Sequence, residues 1–113
     1  MEGCIFCGII NGELPSEKVY EDAEVYAFRE IRPIAPTHIL VVPKRHIPSA
    51  ANIDDTNSDA VSSVFAAISK IAVQQKLERG FRAVTNSGED AGQTVGHLHF
   101  HIIGGRKLSL DIG

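Results

Sequence analysis

The sequence predicts an α+β domain built on an antiparallel sheet of five strands, with one long and one short helix. Three observations predict it. Short runs rich in branched and aromatic residues recur between turn signals, which is the pattern of strands. One segment, Ser58 to Arg79, instead repeats its apolar residues every three or four positions, the period of a helix. The strand-like runs also follow one another in hairpin-like order around that single helix, which favours an antiparallel sheet.

The elements follow in order. Residues 4–11 are apolar and form a short helix or turn, ended by Asn11-Gly12. Lys18 to Tyr20 and Val25 to Phe28 are strands around a turn at Glu21-Asp22. Pro33 and Pro36 exclude a regular element between them. Thr37 to Val42 is rich in branched apolar residues and stops at Pro43, as a buried strand does. In the long helix, Val61, Val64, Phe65, Ile68, Ile71 and Ala72 share a face, Asn57 caps the start and Gly80 ends it. Phe81 to Thr85 is the fourth strand. Asn86 to Gly96 is polar and glycine-rich, hence a loop. His97 to Ile103 is the fifth strand, closed by Gly104-Gly105.

A chain of 113 residues with no repeat or linker reads as one domain, 1–113. Its formal charge of −3 argues against binding nucleic acid through bulk electrostatics, yet a local cluster of donors can still hold a phosphate. No run of about 18 apolar residues is present, so no membrane span is expected. No basic region followed by an apolar stretch opens the chain, so the expected location is the cytoplasm. There a structural disulfide between Cys4 and Cys7 is disfavoured, which leaves metal binding or redox chemistry for this Cys-x-x-Cys pair. A thioredoxin-like motif needs a strand before it, and none precedes Cys4.

The chemistry concentrates at His97-Leu98-His99-Phe100-His101. In a strand, alternate residues share a face, so His97, His99, His101 and Ile103 stand on one side, with neighbours about 7 Å apart. Leu98, Phe100 and Ile102 enter the core from the other. A neutral imidazole can attack phosphorus, and a neighbouring one can protonate a leaving group or stabilise phosphoryl charge. The residue types also suit a metal site, or a purely structural row. His38 interrupts an apolar strand and needs a polar partner there. The preceding loop, Asn86 to Thr94 with Gly92 and Gln93, offers amide, hydroxyl and backbone donors for an anion.

At these residues the sequence resembles the histidine triad (HIT) superfamily, whose motif alternates three histidines with apolar residues and ends in two apolar ones. His97 to Ile103 matches every position. Within it the chain looks like the Hint branch, the purine nucleoside phosphoramidases, from Ile5-Phe6 through Ala35-Pro36-Thr37-His38 to Gly104-Gly105-Arg106. The resemblance implies a HIT-like hydrolase cleaving nucleoside monophosphate derivatives, such as adenosine phosphoramidates and acyl-adenylates. His99 would be the nucleophile and form a nucleotidyl-histidine intermediate. His101 and His38 would contact the phosphate and share protons, and Thr94 would reach the leaving group. Asn86 and Gln93 would add donors near the phosphate. Ile5, Phe6, Ile9, Phe28 and Ile31 would form the nucleoside pocket. Glu30 stands where an aspartate usually meets the ribose hydroxyls and can accept the same bonds. The tail Lys107–Gly113 lacks the Trp-Pro-Pro ending of many Hint proteins.

The resemblance also implies a homodimer joined partly through the long helix, whose apolar arc extends to Val73. Cys4, Cys7, His46 and His97 would bind one structural zinc ion, as in some bacterial histidine triad proteins. Two other functions compete: hydrolysis of dinucleoside polyphosphates, and a nucleotide-binding scaffold with negligible turnover. The presence of both His99 and Thr94 speaks against the scaffold.

Overall fold

The computed structural model describes residues 3–111. The chain order is α1 (Ile5–Ile10), β1 (Lys18–Glu21), β2 (Val25–Arg29), β3 (Thr37–Pro43), α2 (Ser58–Gln74), β4 (Phe81–Val84) and β5 (Phe100–Gly104). The five strands form one sheet in the order β1-β2-β3-β5-β4, with every pair antiparallel. The five-stranded α+β architecture read from the sequence is therefore present. No described helix is long and apolar enough to cross a membrane.

Alternation on the central strand β3 organises the two faces. Ile39 and Val41 point to α2 and are fully buried with Val25, Ala27, Phe100 and Ile102 against Val64, Ala67, Ile68 and Ile71 of the helix. Each of these larger side chains contributes roughly 1.5–3 kcal/mol on full burial. Leu40 and Val42 point the other way, where Phe6 and Ile9 of α1 pack on them together with Tyr26 and Phe28. The long helix thus covers one face of the sheet. The short helix covers only part of the other, and that partly open face carries the histidines.

Three boundaries and one capping bond differ from expectation. The long helix stops at Gln74, a turn and more before Gly80, because Lys76 takes a left-handed conformation (φ 58°). The Leu77 N–H donates to the Ala72 carbonyl and the Lys76 N–H to that of Val73, a Schellman motif that buries Leu77. Asn57 does occupy the N-cap position, but its side chain accepts from the Asp54 N–H and donates to the Asn52 carbonyl instead of capping. The first hairpin turns at Asp22, whose carboxylate accepts from the Glu24 and Val25 N–H groups. Ladder pairing in the last strand begins at Phe100, so His97 to His99 form an unpaired approach to it.

Candidate active site and metal cluster

The five histidines fall into two groups on the α1 side of the sheet. His38, His99 and His101 form a row, with ring centroids of His99 and His101 5.2 Å apart and those of His38 and His101 also 5.2 Å apart; His99 and His101 line a cavity, and His38 stands behind His101 without lining it. His46 and His97 meet Cys4 and Cys7 at the start of α1.

Hydrogen bonds define which nitrogen of each of the first three rings carries the hydrogen. His99 Nδ1 lies 2.7 Å from the His97 carbonyl oxygen, an acceptor only. Nδ1 therefore carries the hydrogen and Nε2 keeps its lone pair. The Ile34 N–H donates to His38 Nδ1 at 3.2 Å. His38 Nε2 must then bear the hydrogen, and it donates to His101 Nδ1 at 3.0 Å. By the same logic His101 carries its hydrogen on Nε2. The result is one ring with a bare nitrogen beside another that offers an N–H hydrogen bond. This relay also supplies the polar partner that His38 requires inside an apolar strand. Burial holds both His38 and His101 below the ordinary histidine range, with His99 and His38 lowering His101 further and Glu30 opposing the shift in both.

The cavity beside these rings has a volume of 450 Å³, within the range of small-molecule sites. Ile5, Phe6, Ile9, Phe28 and Ile31 form its apolar wall, and Glu30, Asn86, Gly92, Thr94, His99 and His101 its polar one. These expected site residues are thus brought together. Ile5 and Ile31 stand exposed at the rim. One Glu30 carboxylate oxygen accepts from the Arg32 N–H. Gln93 does not line the cavity. Its amide donates to the Pro48 and Val95 carbonyls and accepts from the Gly88 N–H, so it shapes the loop rather than offering donors to a ligand.

Other contributors went unnoticed in the sequence. The Thr85 hydroxyl donates to the His99 carbonyl at 2.8 Å and holds the His99 backbone just before ladder pairing begins. Leu14, Pro15, Ser16, Arg29, Leu40 and Val95 complete the cavity wall. Ile34 acts through a backbone N–H, which carries no signal in residue type. A threonine following a strand and facing the histidine run was the one visible clue.

In the second group, Cys4 Sγ lies 3.4 Å and Cys7 Sγ 3.6 Å from His97 Nδ1, and Cys7 Sγ lies 3.4 Å from His46 Nδ1. All four ligand atoms fall within 4.8 Å of one another. Tetrahedral zinc bonded to sulfur and nitrogen at ordinary lengths separates those atoms by about 3.6 Å. The two-sulfur, two-nitrogen donor set also suits zinc. His97 Nε2–H donates to the Pro43 carbonyl at 2.8 Å, which leaves Nδ1 as the free ligand atom and supplies the outer partner that ligating histidines use. Burial keeps His97 below its ordinary range and pushes the Cys7 thiol up. The residues present therefore fit a closed, structural zinc site.

Comparison with known proteins decides the family. The sequence profile of the HIT domain matches residues 11–108. The chain belongs to the HIT domain family. It is 42% identical over 108 residues to the purine nucleoside phosphoramidase of Escherichia coli (strain K12), covering 95% of this chain and 91% of that protein. Among solved structures, a histidine triad protein from Clostridium difficile is 51% identical, with a TM-score of 0.93 and 96% of each chain covered. A HIT family hydrolase from Clostridium thermocellum reaches a TM-score of 0.96 at 42% identity, covering 99% of this chain and 98% of that one. The matched HIT domain begins after Cys4 and Cys7, so half of the ligand cluster lies ahead of it.

Proposed function

We propose that this HIT protein is a hydrolase of purine nucleoside monophosphate derivatives, phosphoramidates and acyl-adenylates among them. The observation that carries this reading is the pair of fixed tautomers, a bare Nε2 on His99 next to an Nε2–H on His101, at the polar wall of one cavity. His99 Nε2 attacks the α-phosphorus, a P–N bond to the ring forms and the bond to the leaving group breaks, the leaving group taking its proton from solvent while the His101 Nε2–H hydrogen-bonds a phosphoryl oxygen and stabilises its charge. Water then attacks the nucleotidyl-histidine, losing its proton to solvent, and the P–N bond breaks to free the nucleoside monophosphate and return the bare His99 Nε2. The His38 N–H keeps His101 aimed throughout. Thr94 faces the leaving group, Asn86 and the loop around Gly92 meet the phosphate, and Glu30 receives the ribose hydroxyls. The family membership and the phosphoramidase relative support this assignment.

The test compares turnover of adenosine phosphoramidate with that of diadenosine polyphosphates, for the wild type and His99→Ala. Removing a covalent nucleophile is expected to cost several orders of magnitude, on the order of 10⁴-fold or more. Near-normal turnover by His99→Ala would overturn the mechanism. Preference for the polyphosphates would reassign the substrate. Nucleotide binding by the wild type with no turnover would indicate a scaffold.

Two further features belong to this reading. Cys4, Cys7, His46 and His97 hold zinc, which when bound ties α1 to the segments around it and leaves no open position for water. Neither cysteine is in a disulfide, so both are available to ligate as thiolates. The protein also acts as a homodimer. Phe65 on α2 is 50% exposed and Val73 78% exposed, so the helix is apolar over a wider arc than its own sheet covers. Beside it Phe81 stands exposed on the edge strand β4. A two-fold interface uses such a patch on both subunits. Light scattering is expected to return twice the chain mass at micromolar concentration, and a monomer mass would refute the dimer.

A further inference from the structure

A single peptide unit joins the two histidine groups. The carbonyl that accepts the His99 Nδ1–H belongs to the plane between His97 and Leu98. On the opposite side of that plane the Leu98 N–H donates to the Ile47 carbonyl at 2.6 Å. The peptide is planar and trans, so its N–H and C=O point in opposite directions, and holding one aims the other. Both anchors of this plane come from the ligand cluster, since His97 is a member and Ile47 follows His46 directly. The His97 ring is fully buried and fixed at both nitrogens, by the Pro43 carbonyl on one side and the two sulfurs on the other. On α1, Phe6 lies between the two cysteines. Its ring meets His99 edge-on, with centroids 5.0 Å apart and planes at 87°, and meets His97 at 6.0 Å. Every segment that supplies a ligand therefore also touches His99 or the peptide that orients it.

We propose that the Cys4, Cys7, His46 and His97 cluster, in its zinc-loaded form, is a positioning device for His99 that keeps the nucleophilic nitrogen bare. The inference rests on the hydrolase reading above. Without the ion, only weak sulfur–imidazole hydrogen bonds connect the cluster. His46 is half-buried, and without the ion only Cys7 Sγ holds its ring, so the backbone leading to Ile47, whose side chain is packed in the core, is tied less firmly to α1. The peptide between His97 and Leu98 then loses its anchor. His99 loses its fixed acceptor at Nδ1 and populates the tautomer with hydrogen on Nε2, which cannot attack phosphorus. Cys4, Cys7 and His46 thereby become positioning residues that act through His97.

His46→Ala tests this cleanly, because His46 lines no part of the nucleotide cavity. Three quantities are read: zinc content, kcat and KM on adenosine phosphoramidate, and the His99 ring nitrogens by long-range ¹⁵N NMR. The wild type should carry zinc and show His99 as the pure Nδ1–H form. The variant should lose zinc and show mixed tautomers. Its kcat should fall about 10-fold or more, as for lost outer-sphere partners, while KM stays within about twofold. Zinc stripped from the wild type by a chelator, well below its melting temperature, should do the same, and readdition should reverse it. That arm decides the question should the variant not fold. A wild type without zinc, or a zinc-free protein that keeps the Nδ1–H form and full kcat, would overturn the proposal. A raised KM at constant kcat would also overturn it, since the cluster would then act on the cavity wall. Should the wild type not cleave the phosphoramidate, the hydrolase reading fails, while the NMR arm still decides whether the cluster orients His99.

Discussion

Replacing Thr85 by valine isolates the bond that holds the backbone of His99. Valine keeps the branched shape and removes only the hydroxyl, which donates to the His99 carbonyl at 2.8 Å, a near-ideal distance for such a bond. His99 is only 6% exposed, and pairing of its strand begins one residue later, so the ladder offers this carbonyl no substitute. Leaving a buried acceptor unpaired costs about 1–3 kcal/mol. At roughly 4 °C per kcal/mol for a domain of this size, the melting temperature should drop by about 4–12 °C. Thermal unfolding followed by circular dichroism measures the drop. Thr85→Ser retains the donor and should recover most of the loss, which separates the hydrogen bond from packing. A Thr85→Val protein that melts within about 1 °C of wild type would show that His99 needs no such support.

The remaining predictions concern pH and the proton relay. His38 and His101 are held below the usual histidine pKa mainly by burial, so in acid the unfolded chain binds protons that the folded one refuses. Their contribution to stability is complete above about pH 6.5 and is lost as pH falls from there through their depressed folded values. The melting temperature should therefore be flat from about pH 7 to 8 and decline below about 6.5, well before the carboxylates titrate; a flat profile down to pH 5 would refute the placement of these rings. His38→Gln should shrink that decline and lower kcat by loosening the His101 tautomer, and an unchanged kcat would remove His38 from the relay.

Much of this site was legible because it rests on side-chain alternation. The run His97 to Ile103 assigns imidazoles to one face and Leu98, Phe100 and Ile102 to the other, and the structure divides them in that way. The Cys-x-x-Cys spacing likewise presented a half-site whose other ligands do converge on it. Less legible was whatever depends on backbone geometry. Gly80 looked like the end of the helix, yet the turn closes at Lys76, where burial of Leu77 compensates for a non-glycine residue in a left-handed conformation. Gln93 resembled a phosphate donor because its residue type fits, but the nearby carbonyls of Pro48 and Val95 claim its amide. Ile34 and Ile47 contribute through N–H and C=O groups that every residue possesses, so no residue type could mark them.

The same alternation that builds the core also guards the chemistry. The pairing Leu40 with His101 and Val41 with Phe100 fixes the register of β5 on β3. A slip of one residue would turn His101 toward α2 and Phe100 toward the cavity side, since side chains reverse face at every step. Such a slip would bury an imidazole without a partner among Val41, Ile68 and Ile71, at a cost of about 1–3 kcal/mol, and expose Phe100 and Ile102 as well. The apolar contacts under α2 therefore do more than stabilise the domain. They make the wrong register costly and so fix which face the imidazole rings occupy. The final aim of His99 within that face comes from groups outside the ladder, Thr85 and the His97 carbonyl. Substitutions under the helix should thus lower stability and leave the tautomers intact, whereas Thr85→Val should disturb His99 in a protein that still folds.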